Sequence, residues 1–511
     1  MVSKAYSLGL FGMDAFTVEV EADLSQGLPC FDLVGLPDAS VKESRDRVRA
    51  ALKNGGFRFP VSRITLNLAP ADVRKEGPLY DLPILVALLV VTGQLPPVDG
   101  ETVFAGELSL SGGIRPINGA LAMAIHARKA GFRRFFLPAA NAAEASVVDG
   151  IDILPLRSVD ELVAHLTGQR EIAPARPEDY PGRPEEAMLD FSDVKGQHLA
   201  KKALEVAAAG GHNVLLIGPP GSGKSMLAKR VPGILPEMTF EEQIETTKIH
   251  SIAGILPEGV PLVTRRPFRA PHHTVSAAGL SGGGTVPKPG EISMAHNGVL
   301  FLDELPEFSR HTLEVLRQPL EDNRVNITRV AGTLSYDCSF MLIAAMNPCP
   351  CGYYGHPSRP CTCSPKTVAG YLNRISGPML DRLDLHIEVP PVDFEALSGE
   401  TDTERSEAIR ERVNAARRIQ LERYRGTDVV ANARMNAAMI RTFCPLTDAA
   451  TAAMKSAFER LDMSARAYDR VLKVARTVAD LAGEEVIGAD HVMQAIQLRS
   501  LDRKYWGGER L

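Results

Sequence analysis

The chain has 511 residues, of which 45% are hydrophobic and 23% are charged, and its net charge is −5. This balance is typical of a soluble globular protein of about three domains, at roughly 150 residues each. The negative charge excludes a protein-wide positive field for nucleic acid, so any DNA contact must come from local patches combined by oligomerisation. The chain shows no secretory signal, and its longest apolar run, at 82–91, is too short to cross a bilayer. We therefore expect a cytoplasmic protein with reduced thiols and no membrane partner.

The first 171 residues alternate between strand and helix periodicities. Short β-like runs are predicted at 16–21, 64–68, 103–108 and 135–137, and helices are predicted at 40–54 and 119–130. This alternation predicts a mixed α/β domain over residues 1–171. The polar stretch that follows is rich in proline and predicts an exposed linker over 172–188.

Residues 189–393 carry a second α/β pattern. A helix at 196–209, an apolar strand at 214–217, a glycine-rich turn and a helix from Lys224 form the strand–loop–helix unit of a nucleotide site. Further buried strands are predicted at 299–302 and 340–346. From residue 394 onward the β-branched runs disappear, and helices at 404–424, 447–461, 465–482 and 488–498 predict a C-terminal helical domain over 394–511.

The glycine-rich turn matches the phosphate-binding pattern G-x-x-x-x-G-K-[ST]. Its glycines let backbone N–H groups turn toward phosphate oxygens at the start of the following helix. Lys224 is expected to reach the β- and γ-phosphates of ATP, and Ser225 to bind Mg²⁺. The predicted nucleotide-binding residues are Gly218, Pro219, Pro220, Gly221, Ser222, Gly223, Lys224, Ser225 and Met226.

Polar residues end the two later strands of this region. Four apolar residues precede Asp303 and Glu304, and a buried parallel strand presents such carboxylates at the sheet edge where ligands bind. Asp303 is expected to hold Mg²⁺ and Glu304 to orient the attacking water. Asn347 ends the next strand, where it either contacts the γ-phosphate and the water or caps the turn before Pro348.

Four of the seven cysteines form two close pairs separated by nine residues: Cys349, Cys351, Cys361 and Cys363. Two thiolate pairs joined by a flexible loop suit a tetrahedral Zn²⁺ in a cytosolic protein. The C-x-C spacing is less usual than C-x-x-C, so packed free thiols are the alternative, and His356 is a possible substitute ligand. We predict a structural zinc site that braces this loop.

Several motifs resemble those of the magnesium-chelatase-like AAA+ ATPases. They are PFRAPHHT at 267–274, PGEIS at 289–293, LFLDELP at 300–306 and NPCPCG at 347–352. The resemblance covers nearly the whole chain and implies an AAA+ core with a C-terminal helical lid. It also implies a homo-oligomeric, hexameric ring whose active sites form between subunits, in a family that includes a DNA branch-migration helicase.

The resemblance also implies roles for three arginines. Arg382 best matches the position of a finger that completes the neighbouring subunit's site, and Arg374 is the second choice; such a finger neutralises charge in the transition state. Pairing of Arg382 with Asp381 or Asp384 is the alternative. Arg466 in the lid matches an arginine that touches the γ-phosphate from the same chain, although it also suits a solvated helix face.

The N-terminal region resembles the Lon-protease-like α+β domain around Lys75–Pro78 and 106–117. The positions of that family's Ser and Lys dyad are occupied here by Leu79 and, approximately, Leu121. Because a Ser–Lys mechanism needs a hydroxyl and a base, we expect no peptidase activity.

Candidate DNA contacts lie in the insert before Asp303. Glycines at 282–284 permit close backbone approach, and the cations there are suited to phosphates: Arg265, Arg266, Arg269, Lys288 and, in a second hairpin, Arg329. Ordinary solvated loop charges are the alternative. His272 and His273 lack spaced metal-ligating partners, and we assign them to a loop.

These features predict a DNA-stimulated ATPase that drives translocation or branch migration in recombination or natural transformation. Two alternatives stay open. One is a chelatase-type motor, which would need other subunits because the chain lacks an acidic metal-handling domain. The other is a protein-remodelling ATPase, for which no aromatic pore-loop signature is evident.

Overall fold

The computed structural model describes residues 2–181, 188–284, 288–329, 332–392, 403–499, 501, 505 and 506. Within these ranges the chain is a mixed α/β protein with two large sheets. No described helix combines the length and apolar character needed to cross a bilayer. The domain boundaries stay predictions, and much of the sequence around two of them, 182–187 and 393–402, lies outside the described residues.

The first sheet has seven strands in the order β3-β4-β2-β1-β5-β8-β9. Its long strands β1 and β2 pair in antiparallel fashion, whereas β5, β8 and β9 are parallel. The predicted strand at 103–108 is split by Ala105 and Gly106 into two short strands. The strands of this half are Val2–Phe11 (β1), Asp14–Ser25 (β2), Cys30–Val34 (β3), Arg63–Ala69 (β4), Thr102–Phe104 (β5), Glu107–Leu108 (β6), Ile114–Arg115 (β7), Arg134–Pro138 (β8) and Asp152–Leu156 (β9).

Helices cover this sheet and enclose its core. The helix Asp81–Val91 is buried along almost its whole length, which explains its uninterrupted apolar sequence. Leu79 and Leu121 are both buried in this core. The helices are Ala39–Lys42, Ser44–Asn54, Asp81–Val91, Ala120–Lys129, Ala142–Ala145 and Val159–Leu166.

The second sheet has five parallel strands in the order β11-β14-β17-β10-β18. Strands β10, β14 and β17 are fully buried, as expected for a parallel sheet covered on both faces. Two hairpins form separate two-stranded sheets. The strands are Val214–Ile217 (β10), Phe268–Arg269 (β11), Gly282–Gly283 (β12), Lys288–Pro289 (β13), Val299–Leu302 (β14), Arg324–Arg329 (β15), Gly332–Asp337 (β16), Met341–Met346 (β17) and Leu385–Glu388 (β18).

The helices of this half pack on both faces of the second sheet. The C-terminal helices share a core with it, because Val471 and Leu472 pack with Val214 and Ile387. Most predicted helices agree with the structure within two residues. The helices are His198–Gly210, Lys224–Ala228, Phe240–Ala253, Ala277–Ser281, Glu291–Met294, Arg310–Val315, Arg317–Asp322, Pro365–Leu372, Gly377–Leu380, Ser406–Arg423, Ala437–Phe443, Asp448–Leu461, Ala465–Ala482 and Ala489–Gln497.

A buried contact joins the two halves. The helix Phe240–Ala253 packs against Ala120–Lys129, and the Gly119 N–H donates to the carbonyl of Ser251 at 3.2 Å. The Ser251 hydroxyl donates to the Glu144 carboxylate. Burial raises the pKa of Glu144. The helix that precedes strand β11 is therefore held by the N-terminal half.

Candidate active site

The site lies where strands β10, β14 and β17 end on the same edge of the second sheet. Ile217 pairs with Met346, and Leu302 pairs with Ala344, so the residues that follow these strands are neighbours. The Gly218 N–H donates to the Met346 carbonyl at 3.2 Å. Parallel register thus brings together three segments that are up to about 130 residues apart in sequence, in the way ligand sites form in open α/β sheets.

Lys224 lies at the centre of this edge and is almost fully buried. Its Nζ donates to the carbonyl groups of Gly218 and Pro219 at 2.8 and 2.9 Å, and it is 3.3 Å from Oδ1 of Asn347. Burial lowers the pKa of Lys224 to about 8, and the nearby Asp303 carboxylate opposes this effect. Lys224 is held by weak neutral acceptors and can exchange them for phosphate oxygens.

Ser225 and Asp303 meet directly. The Ser225 hydroxyl donates to Oδ2 of Asp303 at 2.6 Å. The pair presents hydroxyl and carboxylate oxygens on the side of the loop where Lys224 lies, and oxygen donors of this kind are the ligands that Mg²⁺ prefers. Ser225 and Asp303, to which the sequence analysis assigns Mg²⁺, are therefore neighbours in the structure.

The loop from Gly218 to Gly223 has the backbone geometry of an anion cradle. Gly221 and Gly223 have φ of +78° and +90°, and a Cβ on Gly218 would clash with the carbonyl oxygen of Val389 at 2.2 Å. The buried Ser222 hydroxyl oxygen has no hydrogen-bond partner in the described part of the chain. Pro219 is buried, whereas Pro220 and Met226 lie at the surface on either side.

These observations test whether ATP and Mg²⁺ fit the residues present. The loop offers left-handed glycines, an unpartnered buried hydroxyl and a cation with exchangeable acceptors, which suit a triphosphate. Ser225 and Asp303 would hold Mg²⁺, which when bound neutralises charge on the β- and γ-phosphates. The donor set fits this cofactor pair.

Glu304 follows Asp303 in a left-handed backbone conformation, with φ of +53°. Its N–H donates to Oδ1 of Asp303 at 2.9 Å, while its own side chain is 57% exposed. Nδ1 of His273 lies 3.3 Å from a Glu304 carboxylate oxygen. No local spacing pattern signals this contact, because His273 and Glu304 are far apart in the chain.

The two finger candidates differ in exposure. The Arg374 side chain is 53% exposed, pairs with Glu307 at 3.0 Å and lines a surface cavity of about 440 Å³. The Arg382 side chain is only 13% exposed and donates to the Pro378 carbonyl and to Glu321 of its own chain.

Arg466 lies at the surface of the helix Ala465–Ala482. Its guanidinium is 3.8 Å from Oδ2 of Asp381. The less exposed Arg470 lies 3.7 Å from the other oxygen of Asp381 and 3.6 Å from Asp384. Arg466 is therefore positioned beside the segment that carries Arg382.

Comparison with known proteins places the chain in a family. The family model described as magnesium chelatase, subunit ChlI, matches residues 190–397, and two further ChlI models match 20–141 and 403–499. The chain is 42% identical to the uncharacterized protein YifB of Escherichia coli (strain K12) over 506 residues, which is 98% of each chain. It is 44% identical to the competence protein ComM of Haemophilus influenzae over 509 residues, 98% of this chain and 97% of that protein.

The chain belongs to the magnesium-chelatase-like family. This membership, together with the site, indicates an AAA+-type ATPase that uses ATP and Mg²⁺. A more distant similarity links the magnesium-chelatase-like chain to the Lon protease of Mycolicibacterium smegmatis, with 28% identity over 172 residues, 31% of this chain and 22% of the protease.

The magnesium-chelatase-like chain also brings its four paired cysteines together. Sulfur–sulfur distances are 3.3 Å for Cys349–Cys351, 3.5 Å for Cys351–Cys361 and 3.7 Å for Cys349–Cys361. Cys363 completes a group whose sulfurs all lie within 4.8 Å of one another. A tetrahedral Zn²⁺ with bonds of about 2.3 Å holds its thiolates roughly 3.8 Å apart, so the donor set fits zinc.

The cysteine loop touches the phosphate loop. Gly352 packs so closely on Pro220 that a Cβ at residue 352 would lie 2.4 Å from the proline ring. The backbone N–H of Tyr354 points at the Cys349 sulfur at 3.3 Å. The contact between Gly352 and Pro220 was not predicted, and no local sequence pattern signals it.

The candidate DNA cations differ in their surroundings. Arg266 pairs with Glu242 and Arg269 with Glu291, so both are engaged within their own chain. Lys288 is exposed on the β12–β13 hairpin. The Arg329 side chain lies outside the described residues. Gly282 is buried, and a Cβ there would lie 2.5 Å from the Lys288 carbonyl oxygen, so this glycine is required by hairpin pairing.

Proposed function

We propose that the protein is an ATP-driven motor of the AAA+ type that acts on DNA. In this proposal it works as a hexameric ring and moves the branch point of joined DNA molecules. The observation that carries the ATPase part is the meeting of Lys224, Asp303 and Asn347 at one sheet edge. The DNA part rests on the near full-length similarity to a competence protein.

Each residue of the site has a role in the proposal. Lys224 leaves the carbonyl groups of Gly218 and Pro219 and binds the β- and γ-phosphates. Ser225 and Asp303 hold Mg²⁺, and Asn347 contacts the γ-phosphate through its amide. Glu304 orients the water that attacks the γ-phosphate. Arg466 adds a positive charge from the lid of the same chain.

A cation from a neighbouring subunit completes the site. The motif position favours Arg382, whereas exposure favours Arg374, because the Arg374 side chain is 53% exposed and the Arg382 side chain only 13%. Both arginines also pair with an acid of their own chain, Glu307 and Glu321 respectively. A finger supplied in trans is worth roughly 10³–10⁵ in rate. It also explains why hydrolysis would depend on ring assembly.

DNA binding in a chain of charge −5 requires that a few cations be concentrated by symmetry. Lys288 is exposed in the second strand of the β12–β13 hairpin, where it pairs with Gly283. In the proposed ring, six copies of Lys288 would form a positive band, which is the charge distribution that suits a phosphate backbone. Affinity should therefore fall steeply with salt.

ATP turnover with and without DNA tests this function. Turnover is measured alone, with single-stranded DNA and with a four-way junction, and Lys224→Ala serves as the blank. Stimulation by DNA that the blank lacks supports the DNA motor. Healthy basal turnover with no response to any DNA rejects it, and stimulation by unfolded protein instead favours a remodelling ATPase.

We also propose that Cys349, Cys351, Cys361 and Cys363 bind a structural Zn²⁺ that fixes the loop against Pro220. Elemental analysis of protein purified without chelators should find about one zinc per chain. Cys361→Ser should lose most of it, whereas Cys444→Ser, which changes a buried cysteine outside the cluster, should retain it. Well under one zinc per chain in the unaltered protein would reject the site.

A further inference from the structure

A small polar cavity lies at the opposite end of the second sheet from the phosphate loop. Its wall includes Gly298, which precedes strand β14, and Met341, which begins strand β17. Asp303 and Asn347 follow the other ends of the same two strands. Another wall comes from the C-terminal helices, through Arg417. The cavity is therefore separate from the candidate active site and lies between the sheet and the C-terminal helices.

The charged side chains that line this cavity are three arginines and one carboxylate: Arg266, Arg417, Arg434 and Glu242. Arg266 is well paired, because it donates to the Glu242 carboxylate and to the carbonyl of Asn297, both at 2.8 Å. Since Glu242 pairs with Arg266, the other two guanidinium groups bring two positive charges that no carboxylate in the cavity lining balances.

The hydrogen bonds of Arg417 and Arg434 are long and go to neutral acceptors. Arg417 donates to the Val430 carbonyl at 3.2 Å and to the Ala209 carbonyl at 3.4 Å. Arg434 donates to the Phe340 carbonyl at 3.4 Å. The buried Nε of Arg417 has no hydrogen-bond partner among the residues that the structure describes. A buried donor on a charged group is costly to leave unpaired, so this cavity suits an acceptor that the chain does not supply.

The electrostatics of the cavity point to an anion. Burial, with a smaller contribution from the charge of Arg266, lowers the pKa of Arg417 to about 10. Burial also lowers the pKa of Arg434. Both guanidinium groups nevertheless stay protonated at neutral pH. An anion between them would offset both their mutual repulsion and their lost hydration.

The size of the cavity limits the anion to a compact one. Its volume is about 70 Å³. A cavity needs roughly 10–15 Å³ to hold one water molecule, so this one accommodates a group of about five atoms of that size. A tetrahedral oxyanion such as phosphate has these dimensions, and guanidinium groups bind its oxygens through paired N–H donors. A nucleoside is too large to enter.

We propose that Arg417 and Arg434 bind an inorganic phosphate in this cavity. Arg417 belongs to the helix Ser406–Arg423, and Arg434 ends the short turn Asn432–Arg434. Arg266, on the facing wall, belongs to the segment before strand β11. A phosphate held between these walls ties the C-terminal helices to the ATPase sheet and stabilises the folded chain by its binding free energy.

Equilibrium dialysis with radiolabelled inorganic phosphate at constant ionic strength tests the site. Because phosphate can also bind the phosphate loop, all measurements use Lys224→Ala, which removes the cation of that loop. This variant should bind about one phosphate per chain. Adding Arg417→Gln should weaken binding by at least about tenfold, since it removes charge-assisted hydrogen bonds.

The next residue of the same helix provides a matched control. Arg418 is exposed, and its side chain donates to the Asn414 carbonyl of its own helix. Lys224→Ala/Arg418→Gln has the same net charge as Lys224→Ala/Arg417→Gln but keeps the cavity intact. Its phosphate affinity should stay within about twofold of that of Lys224→Ala.

Thermal unfolding gives a second readout. Phosphate should raise the melting temperature of Lys224→Ala and of Lys224→Ala/Arg418→Gln by the same few degrees, and that of Lys224→Ala/Arg417→Gln by clearly less. Comparison at one phosphate concentration removes the general stabilising effect of phosphate as an excluded salt, which all three variants share.

No binding to Lys224→Ala at up to about 10 mM phosphate would overturn the proposal. Binding that Arg417→Gln leaves unchanged, or that Arg418→Gln weakens equally, would overturn it as well. If Lys224→Ala/Arg417→Gln does not fold, Lys224→Ala/Arg434→Gln decides by the same criteria. The outcome is independent of the DNA function proposed above, because no measurement involves DNA or ATP turnover.

Discussion

Lys75 and Lys224 are buried lysines in the two halves of the molecule, and both donate hydrogen bonds to backbone carbonyl groups. Lys75 donates to Pro70 and Val73, and Lys224 donates to Gly218 and Pro219. Burial lowers the pKa of both. Burial and a lowered pKa therefore do not distinguish a reactive lysine from a structural one.

The surroundings make the distinction. Lys224 lies beside Asn347 and the Ser225–Asp303 pair. Next to it, a Cβ on Gly221 or Gly223 would meet no atom within 4 Å, so this side of the loop has open space. Lys75 is fully buried within a loop, and its backbone N–H donates to the Leu36 carbonyl. A cation beside other polar groups and an open cradle can exchange its partners for a ligand, whereas an enclosed cation can only hold its loop together.

The largest expected effect separates these two lysines by activity. Lys224→Ala should reduce ATP turnover by at least about 10³-fold, because it removes the cation that contacts the transferred phosphate. Its melting temperature should stay within a few degrees of the original. Turnover and thermal unfolding are measured on the same preparation. Substantial turnover in Lys224→Ala would contradict the site.

A similar contrast applies to Arg374 and Arg382, since the Arg374 side chain is exposed and the Arg382 side chain is largely buried. If exposure decides, Arg374→Ala should lower turnover by roughly 10³-fold and Arg382→Ala should lower it far less. The opposite ranking would support the motif position.

Mixing subunits shows whether the arginine acts across an interface. Rings mixed from Lys224→Ala and Arg374→Ala subunits contain some sites with both intact residues. They should recover turnover that neither variant shows alone, and no recovery would argue against action in trans.

A smaller effect is expected for Lys75→Met. The substitution leaves the Pro70 and Val73 carbonyl groups without a donor, which should lower the free energy of unfolding by about 1–3 kcal/mol. Turnover per folded molecule should be unchanged. Urea unfolding is the measurement, and the exposed Lys53→Met is the control, with an expected change within about 0.5 kcal/mol. Loss of turnover at full stability would place Lys75 in the catalytic machinery.

The smallest expected effect is a proton taken up by Lys224. With a pKa of about 8, this amine is largely neutral at pH 8.5, and triphosphate binding favours its charged form. Binding of ATP should therefore take up on the order of half a proton at pH 8.5 and almost none at pH 7, and affinity should fall as pH rises above 8. Calorimetry in buffers of different ionisation enthalpy measures the uptake. Equal uptake at both values would assign the proton elsewhere.

Much of the fold was predictable because its signals are local. Four C-terminal helices were predicted within two residues, since amphipathic periodicity and caps such as Thr447 and Ser464 are properties of short segments. The short helix Ala437–Phe443 was not predicted. The first strand, Val2–Phe11, and the helix Phe240–Ala253 were not predicted. The helix Phe240–Ala253 lacks a clear apolar face because it packs on two sides. One side contacts the helix Ala120–Lys129, and another contacts the helix Glu291–Met294 and strand β13.

For the site, the sequence by itself determined which chemistry is present: the phosphate loop, Asp303, Asn347 and the paired cysteines, each recognisable because the residues are close in the chain. Only the tertiary structure decided which distant residues meet, such as His273 with Glu304 and Gly352 with Pro220. It also decided that Arg382 is enclosed and Arg374 is exposed. The physical reason is that strand order, loop packing and burial arise from contacts between segments far apart in sequence, which local composition and spacing do not encode.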